Sequence, residues 1–296
     1  MQIIFLGTSS MVPTKDRNHF SFFIKYNEEG MLFDCGEGTQ RQLRIAKIKP
    51  TSITKIFISH FHGDHVLGLP GLIQTMSASQ YEQTLEIYGP VGLKKFMKKM
   101  YELFIFDNKL QIKLHEIKKI NFLDLPKYSI KAYKLDHSVK CLGYKFIEKD
   151  KIRINSKKAQ SFGLKEGPLL GRLLLDKKIV VDNKTIYSKD LTYKTQGRIV
   201  GFIADTAMVN NCLKIADNCD ILISEATHTS KHIEKAEKYK HLTSKQVGFI
   251  ANDCNVKKLI LTHFSQRYKD INELIDEAKD IFPNTIAAYD FLKINL

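Results

Sequence analysis

The feature that most constrains this chain is the stretch "SHFHGDH" at residues 59–65, which directly follows an apolar run. It places three histidines and one aspartate within six positions, namely His60, His62, Asp64 and His65. Imidazole and carboxylate are the ligands that zinc prefers where no thiolate is available, although manganese and iron tolerate the same set. A lone His-x-His would be weak evidence, whereas His-x-His-x-Asp-His is a specific pattern. The stretch therefore predicts a metal site.

Four apolar segments of the chain each end at a histidine or an aspartate. "ITKIFISH" ends at His60, "KAYKLDH" at His137, "IVGFIAD" at Asp205 and "LILTH" at His263. Their β-branched and aromatic residues are typical of strands. Because binding groups gather at the carboxyl ends of strands in α/β sheets, we expect these four side chains to share one site.

The combined set of candidate ligands is too large for one tetrahedral ion. It comprises His60, His62, Asp64, His65, His137, Asp205 and His263. Two ions that share a bridging carboxylate would use the whole set. Ions about 3.5–4 Å apart activate a water and stabilise the attacking and leaving oxygens of a displacement. We therefore expect two Zn²⁺ per chain.

Strand-like and helix-like segments alternate along the chain. "MQIIFLG", "FSFFIKY" and "MLFDCG" are short apolar runs near the start, and Leu93 to Phe104 carries an apolar stripe at spacings of three and four. This alternation favours α/β sheets covered by helices. The length of 296 residues allows one large domain or two small ones, and does not choose between them.

One stretch, which we call the basic segment (residues 148–197), departs from this alternation. It is weakly periodic, rich in lysine and arginine, and contains "FGLKEGPLLGRLLL". A polar excursion of this length is typical of an insertion with its own role rather than of a connecting loop. The alternative is a disordered or merely solvated lid.

The charge of the chain favours a polyanionic partner. Its 46 basic and 32 acidic residues give a formal net charge of +14, which is typical of proteins that bind nucleic acid or an anionic membrane surface. A lysine-rich proteome would give the same balance. Five cysteines without a Cys-x-x-Cys pair favour a reducing compartment. "MQIIFLGTSS" is strand-like rather than a signal peptide, and no apolar run approaches the roughly 18 residues of a membrane helix. We expect a cytoplasmic protein.

Several motifs together resemble one family. They are "FLGTSSMVPTKDRN" (5–18), "LFDCGEGTQRQ" (32–42), "SHFHGDHVLGLPGL" (59–72), "LDHS" (135–138), "GPLLGRL" (167–173), "ADT" (204–206), "SEATH" (224–228) and "LTHFSQRY" (261–268). "SHFHGDH" is similar to the signature of the metallo-β-lactamase superfamily. The whole set resembles the tRNase Z (ribonuclease Z) family, which are tRNA 3′-processing endoribonucleases of that superfamily.

The resemblance covers nearly the full length of the chain and implies its fold. It implies an α/β protein with the metallo-β-lactamase αββα sandwich, as a single domain over residues 1–296. It also implies an inserted basic flexible arm, or exosite, at about residues 148–197. In the family the metal site lies at the edge of the sandwich.

The resemblance further divides the candidate ligands between two zinc ions. It assigns His60, His62 and His137 to one ion and Asp64, His65 and His263 to the other, with Asp205 as the bridge. All these positions carry the expected residue type.

The acid–base residues are also implied by the resemblance, with two departures. The family's HEAT-type motif is "SEAT" here, with Ser224 in place of histidine, and its HST-type motif is "HLT" at 241–243. Glu225 and His241 are retained. We expect Asp64 to orient the attacking water, His241 to act as general acid, and Glu225 to hold the His241 ring.

Local sequence predicts how His241 is positioned. It closely precedes "TSKQ", a Thr-x-x-Gln capping box that would open a helix at Thr243. The remaining histidines are expected to be structural or exposed; they are His19, His115, His228 and His232.

Substrate contacts follow from the same resemblance. Lys15, Arg17 and Asn18 in "PTKDRN" match a substrate-contacting loop that would grip phosphates beside the scissile bond. Gly167 and Pro168 match the glycine–proline element of the arm, which grips the tRNA elbow in relatives. The implied partners are precursor tRNA and a second copy of the chain in a homodimer, with no membrane. Phosphate contacts supply affinity without sequence readout, so binding of tRNA would explain the positive net charge.

Three functions are compatible with these observations. The favoured one is removal of the 3′ trailer from precursor tRNA near the discriminator base, leaving a 3′-hydroxyl on the tRNA and a 5′-phosphate on the trailer. A metallo-hydrolase of small phosphodiesters or sulfate esters would need neither the basic segment nor "PTKDRN". A non-catalytic RNA-binding protein would not need the complete ligand set with Asp64 intact.

Overall fold

The computed structural model describes two compact units of the chain. The described residues are 1–105, 109–165, 167–181 and 184–296, without the side chain of Lys184. The first unit comprises Met1–Asp124, Ile130–Phe146 and Ile199–Leu296, and the second comprises Leu125–Ser129 and Ile147–Arg198. The second unit therefore contains the basic segment.

The described strands are short and mostly apolar, which is typical of strands covered on both faces. In chain order they are β1 (Gln2–Gly7), β2 (Ser21–Tyr26), β3 (Glu29–Phe33), β4 (Ile53–Phe57), β5 (Thr84–Pro90), β6 (Gln111–Ile117), β7 (Asn121–Asp124), β8 (Tyr128–Asp136), β9 (Lys140–Glu148), β10 (Lys151–Ile154), β11 (Lys178–Val181), β12 (Lys184–Tyr187), β13 (Thr192–Thr195), β14 (Ile199–Ile203), β15 (Ile221–Glu225), β16 (Leu259–Thr262), β17 (Thr285–Ala287) and β18 (Lys293–Asn295). The strands predicted near the start of the chain are confirmed as β1, β2 and β3.

The described helices include the amphipathic one predicted from Leu93, which is confirmed. In chain order they are α1 (Thr39–Ile45), α2 (Gly63–Val66), α3 (Leu69–Ala78), α4 (Leu93–Leu103), α5 (Ser156–Ser161), α6 (Pro168–Asp176), α7 (Ser188–Leu191), α8 (Asn210–Ala216), α9 (Ile233–Tyr239), α10 (Ser244–Asp253) and α11 (Asn272–Lys279). Short 3₁₀ turns cover Pro50–Ser52 and Ser230–His232. Among these helices, none combines the length and apolar character needed to cross a membrane.

Two sheets of seven described strands each dominate the structure. The strand order is β18-β1-β2-β3-β4-β5-β6 in the first sheet and β17-β16-β15-β14-β9-β8-β7 in the second. Strands β3 to β6 run parallel, as do β14 to β17. The carboxyl ends of parallel neighbours lie at one edge of a sheet, which is where loops can assemble a site.

An aromatic layer fills the space between the two sheets. Phe22 and Phe33 of the first sheet stack with ring centroids 4.7 Å apart, and Phe202 of the second sheet meets Phe22 edge-on at 5.1 Å. Tyr144 lies 5.7 Å from Phe57 across the same layer. Aromatic pairs at these distances add to the stabilisation from burial.

Helices cover the outer faces of both sheets. Because successive strand residues point to opposite faces, Leu32 and Ile56 face away from the aromatic layer. They pack in one apolar cluster with Leu43 of α1, Leu72 of α3 and Met97 of α4. Helices α8, α10 and α11 contact β14 to β17 of the second sheet. The layers are thus helix, sheet, sheet and helix, and the α/β sandwich expected from the sequence is confirmed.

The second unit has elements and an apolar cluster of its own. Strands β10 and β13 pair antiparallel, as do β11 and β12. The buried residues of its cluster are Ala159, Leu164, Leu170, Leu173, Ile179, Ile186 and Leu191. Where the unit begins and ends, the buried carboxylate of Glu148 accepts hydrogen bonds from Arg198 Nε at 2.6 Å and Nη2 at 3.0 Å. This two-point pair joins the two ends of the segment.

Candidate metal centre and active site

Four strands lead directly into predicted ligands. His137 and His263 are the first residues after β8 and β16, while His60 and Asp205 follow β4 and β14 within three residues. The structure arranges these side chains around one carboxylate. Asp205 Oδ2 lies 3.9 Å from Nε2 of both His60 and His137, and Asp205 Oδ1 lies 3.4 Å from His263 Nε2.

The remaining candidates come from the loop after β4 and from the short helix α2. His62 Nδ1 lies 3.0 Å from His60 Nε2 and 3.2 Å from His137 Nε2. His65 Nε2 lies 3.2 Å from His263 Nε2, and Asp64 Oδ2 lies 3.5 Å from both of those nitrogens. The predicted ligands form two groups, one of His60, His62 and His137, and one of Asp64, His65, Asp205 and His263. A third group, which overlaps the second, consists of Asp205, Glu225, His241 and His263. Asp205 is the residue that approaches both groups.

The tautomer of each imidazole can be deduced from its other ring nitrogen. His65 Nδ1 lies 2.8 Å from Asp34 Oδ2, and since a carboxylate only accepts, Nδ1 carries the proton. His137 Nδ1 donates in the same way to the Lys240 carbonyl at 3.0 Å. In both rings Nε2 is therefore the nitrogen directed at the site, and in the neutral imidazole it carries the free lone pair that a metal ion needs.

Hydroxyl groups show in the same way that Nδ1 is the donor nitrogen in the rings of His60 and His263. Ser59 Oγ donates to Asp34 Oδ2 at 2.7 Å, so it accepts from His60 Nδ1 at 2.9 Å. Thr227 Oγ1 donates to Glu225 Oε2 at 2.6 Å, so it accepts from His263 Nδ1 at 2.9 Å. Partners of this kind orient metal-binding histidines and raise their basicity.

The donor set fits bound metal ions. Four imidazoles direct Nε2 at the space beside Asp205; they belong to His60, His65, His137 and His263. The Asp205 residue is only 3% exposed. Among the described residues, Asp205 Oδ1 is one of the few buried polar atoms without a hydrogen-bond partner. Burying a carboxylate without a partner is costly unless it is paired or coordinates a cation. The arrangement is therefore suited to divalent metal.

Sequence reasoning missed Asp34, Ser59 and Thr227, which hold the ligands. Asp34 directly follows β3, the parallel neighbour of β4, so the strand-end pattern could have found it. Asp34 and His263 also have left-handed backbone conformations, with φ of 53° and 60°. Such conformations are costly outside glycine and are retained at functional sites. Composition alone does not reveal them.

A carboxylate–imidazole pair lies beside the ligand groups. Glu225 ends β15, is buried, accepts from Thr206 N at 2.7 Å and binds His241 Nδ1 at 2.9 Å. His241 Nδ1 is 3.9 Å from Asp205 Oδ2. Burial opposes protonation of His241, but the nearby carboxylates of Glu225 and Asp205 outweigh it and raise the pKa of this imidazole to about 9. The His241 ring can therefore carry a proton at neutral pH.

The predicted capping box after His241 is confirmed. Thr243 N donates to Gln246 Oε1 at 2.9 Å, and Gln246 N donates to Thr243 Oγ1 at 3.3 Å, so that α10 begins at Ser244. The two departures from the family motifs, Ser224 and Leu242, are fully buried and do not line the active-site cavity. They leave the Glu225–His241 contact intact.

An open cavity of about 780 Å³ gives access to this centre. Six of the predicted residues line it: His62, Asp64, His137, Asp205, His241 and His263. His60, His65 and Glu225 do not line it; all are buried. The rim also carries Lys235, Lys238 and Arg267, which the sequence analysis did not assign to the site. A basic rim is suited to a phosphate-containing substrate.

The predicted substrate loop does not line the cavity. Lys15 is exposed, Arg17 Nη2 donates to the Tyr268 carbonyl at 2.8 Å, and Asn18 Nδ2 donates to the Glu37 carbonyl at 2.7 Å. Gly167 and Pro168 lie in the second unit, where they begin α6. Substrate contact by these five residues stays a prediction.

The four unassigned histidines differ from one another. His19 Nε2 contacts the Met11 carbonyl at 3.0 Å, His115 stacks on Tyr88 with centroids 4.4 Å apart, and His232 Nδ1 is 3.2 Å from the Tyr268 hydroxyl. His19 and His228 are both buried and line the cavity, whereas His115 and His232 do not line it.

Comparison with known proteins gives similarities over nearly the whole chain. A family model described as "Anti-Pycsar protein Apyc1" matches residues 1–273. The ribonuclease Z of Chlamydia abortus is 38% identical over 291 residues, which are 98% of this chain and 95% of that protein. The crystal structure of human tRNase Z, short form, is similar with a TM-score of 0.74 and 29% identity, over 100% of this chain and 99% of the human one.

The fold has a further relative of lower identity. YhfI from Bacillus subtilis, described as a metallo-β-lactamase fold protein, is similar with a TM-score of 0.72 and 18% identity, over 99% of this chain and 98% of YhfI. These matches agree with the layered sheets and with the ligand groups at their edge. The chain therefore has the metallo-β-lactamase fold and belongs both to the family of the Apyc1 model and to the ribonuclease Z family.

Proposed function

We propose that this protein is a two-zinc endoribonuclease that removes the 3′ trailer from precursor tRNA. It cuts near the discriminator base and leaves a 3′-hydroxyl on the tRNA and a 5′-phosphate on the trailer. The observation that carries the proposal is the placement of Asp205 between two ligand groups, with the His241–Glu225 pair beside it. Relatives named ribonuclease Z support the substrate.

In this proposal the two ligand groups each hold one Zn²⁺. His60, His62 and His137 would hold one ion, Asp64, His65 and His263 would hold the other, and Asp205 would be shared by both. Ions held there would supply an activated water and neutralise charge on the phosphoryl oxygens. The rings of His60, His65, His137 and His263 support this assignment, because Nδ1 of each has its own partner and Nε2 of the neutral ring is then free to bind metal.

The chain's own residues then handle the proton transfers. Asp64 lines the cavity and orients the attacking water through its carboxylate. His241 gives its proton to the leaving 3′-oxygen, since its Nδ1 is taken by Glu225 and its other nitrogen remains for substrate. Glu225 stabilises the protonated ring and fixes its orientation.

Substrate contacts are assigned to residues of both units. Lys15, Arg17 and Asn18 are proposed to contact phosphates beside the scissile bond, and the arm that includes Gly167 and Pro168 is proposed to contact the tRNA elbow. Many exposed lysines in the basic segment support the second assignment. We also propose a homodimer and a cytoplasmic location, on the sequence grounds given above.

The decisive experiment uses purified protein and a 3′-extended precursor tRNA, with and without chelator. We expect a metal-dependent cut near the discriminator base, mapped by the ends of both products, and its loss in Asp64→Ala. Asp276→Ala, an exposed aspartate on α11, is the matched control and should cleave like wild type. If the tRNA stays intact while bis(p-nitrophenyl) phosphate is hydrolysed, the substrate assignment is wrong and a small-phosphodiester hydrolase is indicated.

A further inference from the structure

His228 is a buried imidazole whose position in the cavity is well fixed. It is 6% exposed, lies three residues after β15 and lines the same cavity as His241. Its main chain is held by a hydrogen bond from Ser244 N to the His228 carbonyl at 2.9 Å. The main chain at His228 is therefore held beside the start of α10, the helix that His241 closely precedes.

The ring of His228 has an unused hydrogen-bonding capacity. Among the described residues, its Nδ1 is one of the few buried polar atoms without a partner. Buried polar side-chain atoms are nearly always hydrogen-bonded, so each exception needs an explanation. The metal groups and the acid–base pair do not use this ring, which points to a contact with substrate.

The neighbours of His228 keep it neutral. Burial, followed by the positive charges of His241 and Arg267, lowers the pKa of His228 to about 4. A neutral imidazole has one donor and one acceptor nitrogen, whereas the nearby lysines and Arg267 only donate and the carboxylates only accept. A ribose 2′-hydroxyl likewise both donates and accepts, and it is the group that distinguishes RNA from DNA.

The distance between the two imidazoles is compatible with each ring contacting one of two neighbouring oxygens on a ribose. The ring centroids of His228 and His241 are 6.1 Å apart, with the rings nearly perpendicular at 81°. In the proposed reaction His241 protonates the 3′-oxygen, and the 2′-oxygen is on the adjacent carbon. Hydrogen bonds of about 2.7–3.0 Å allow two rings at this separation to contact the two oxygens together.

We propose that His228 is a specificity-determining residue that hydrogen-bonds the 2′-hydroxyl of the nucleotide whose 3′-oxygen leaves. It thereby favours RNA over DNA at the scissile position. This inference rests on the proposed function, because it needs a ribose at the cut.

The test compares two precursor tRNAs that differ by one oxygen. One is all-ribose, and the other has a single 2′-deoxy nucleotide on the 5′ side of the cut. We expect wild type to prefer the all-ribose substrate by about five- to tenfold in kcat/KM, the size of one hydrogen bond. In His228→Phe, which keeps a ring of similar size, the ratio should fall to about one.

His232→Phe is the control, because His232 is a neighbouring histidine that does not line the cavity. It should keep the wild-type ratio. If His228→Phe does not fold, His228→Leu is measured in its place. A wild-type ratio near one, or an unchanged ratio in the His228 variant, overturns the inference. Failure of wild type to cleave either tRNA overturns the proposed function instead.

Discussion

The ligand groups and the basic segment both have strong sequence patterns, but they are built in opposite ways. His60, His65 and Asp205 are almost completely buried, and each ring among them has its second nitrogen held by a neighbour. In the basic segment, the side chains of Arg172 and Lys194 are 71% and 68% exposed and form surface ion pairs with Asp176 and Asp150. Metal chemistry needs ligands at fixed distances, whereas phosphate binding needs only charge within reach.

This contrast makes a substrate-dependent prediction for each region. Damage to the ligand groups should abolish turnover of every phosphodiester. Damage to the basic segment should matter only for a substrate large enough to contact it. Four substitutions or deletions test this division.

Removing the shared carboxylate should have the largest effect. Asp205→Ala should lower kcat/KM on the order of 10³-fold on both precursor tRNA and bis(p-nitrophenyl) phosphate, because it disturbs both ligand groups. Metal content, measured by elemental analysis of the purified protein, should fall as well. Asp276→Ala serves again as the control. If the variant keeps full metal content and normal turnover, Asp205 is not part of the metal site.

Deleting residues 150–195 should separate the two substrates. The deletion keeps the Glu148–Arg198 pair, which joins the ends of the segment. Loss of several phosphate contacts should lower kcat/KM on precursor tRNA about 10²-fold and leave bis(p-nitrophenyl) phosphate hydrolysis close to wild type. Because each phosphate contact contributes more at low salt, the effect on tRNA should grow at low salt and shrink at high salt. Equal loss on both substrates would show that the segment is needed for the centre itself.

Removing the general acid should depend on the leaving group. His241→Ala should slow cleavage of precursor tRNA about 10²-fold, because the 3′-oxygen of a ribose needs a proton to leave. Bis(p-nitrophenyl) phosphate releases p-nitrophenolate, a stable anion, so its hydrolysis should fall much less. Single-turnover rates on both substrates measure the difference. An equal reduction would assign His241 to metal or substrate binding instead.

The smallest expected loss of activity comes from lowering the pKa of His241. Glu225→Gln removes the main charge that raises this pKa, so it should move down from about 9 toward the ordinary value of a histidine. In wild type the ring stays protonated below about pH 9 and loses its proton above it; in the variant that loss should occur at lower pH. NMR titration of the imidazole in chelator-treated protein measures this directly, and turnover of tRNA should fall about tenfold. An unshifted titration would mean that Glu225 does not hold the charge of His241.

Most of the centre was predictable because its pattern is local. Three histidines and Asp64 lie in one six-residue run, and each further ligand ends an apolar strand. The capping box at Thr243 was likewise visible within four residues. Hydrophobic periodicity, composition and short residue spacings are properties of the sequence, so they can be recognised without knowledge of the fold.

The contacts of "PTKDRN" show that a motif does not determine which partners its residues have in the fold. Lys15, Arg17 and Asn18 were expected at the substrate, which stays a prediction. In the structure Arg17 binds the Tyr268 carbonyl and the Asn18 main chain donates to Asp290. These partners lie about 250 or more positions away in sequence. A motif shows which groups are available, while the partners that they meet depend on distant parts of the chain.

The residue types of the candidate ligands, the strands that precede them and the acid–base candidates could be predicted from sequence. Which rings share a group, which nitrogen of each ring faces the site and which polar residues hold that ring depend on the tertiary structure. Asp34 reaches His65 because β3 lies beside β4, and Thr227 reaches His263 because β15 lies beside β16. Strand neighbours are chosen by packing of the whole sheet, so contacts between them cannot be deduced from spacing along the chain.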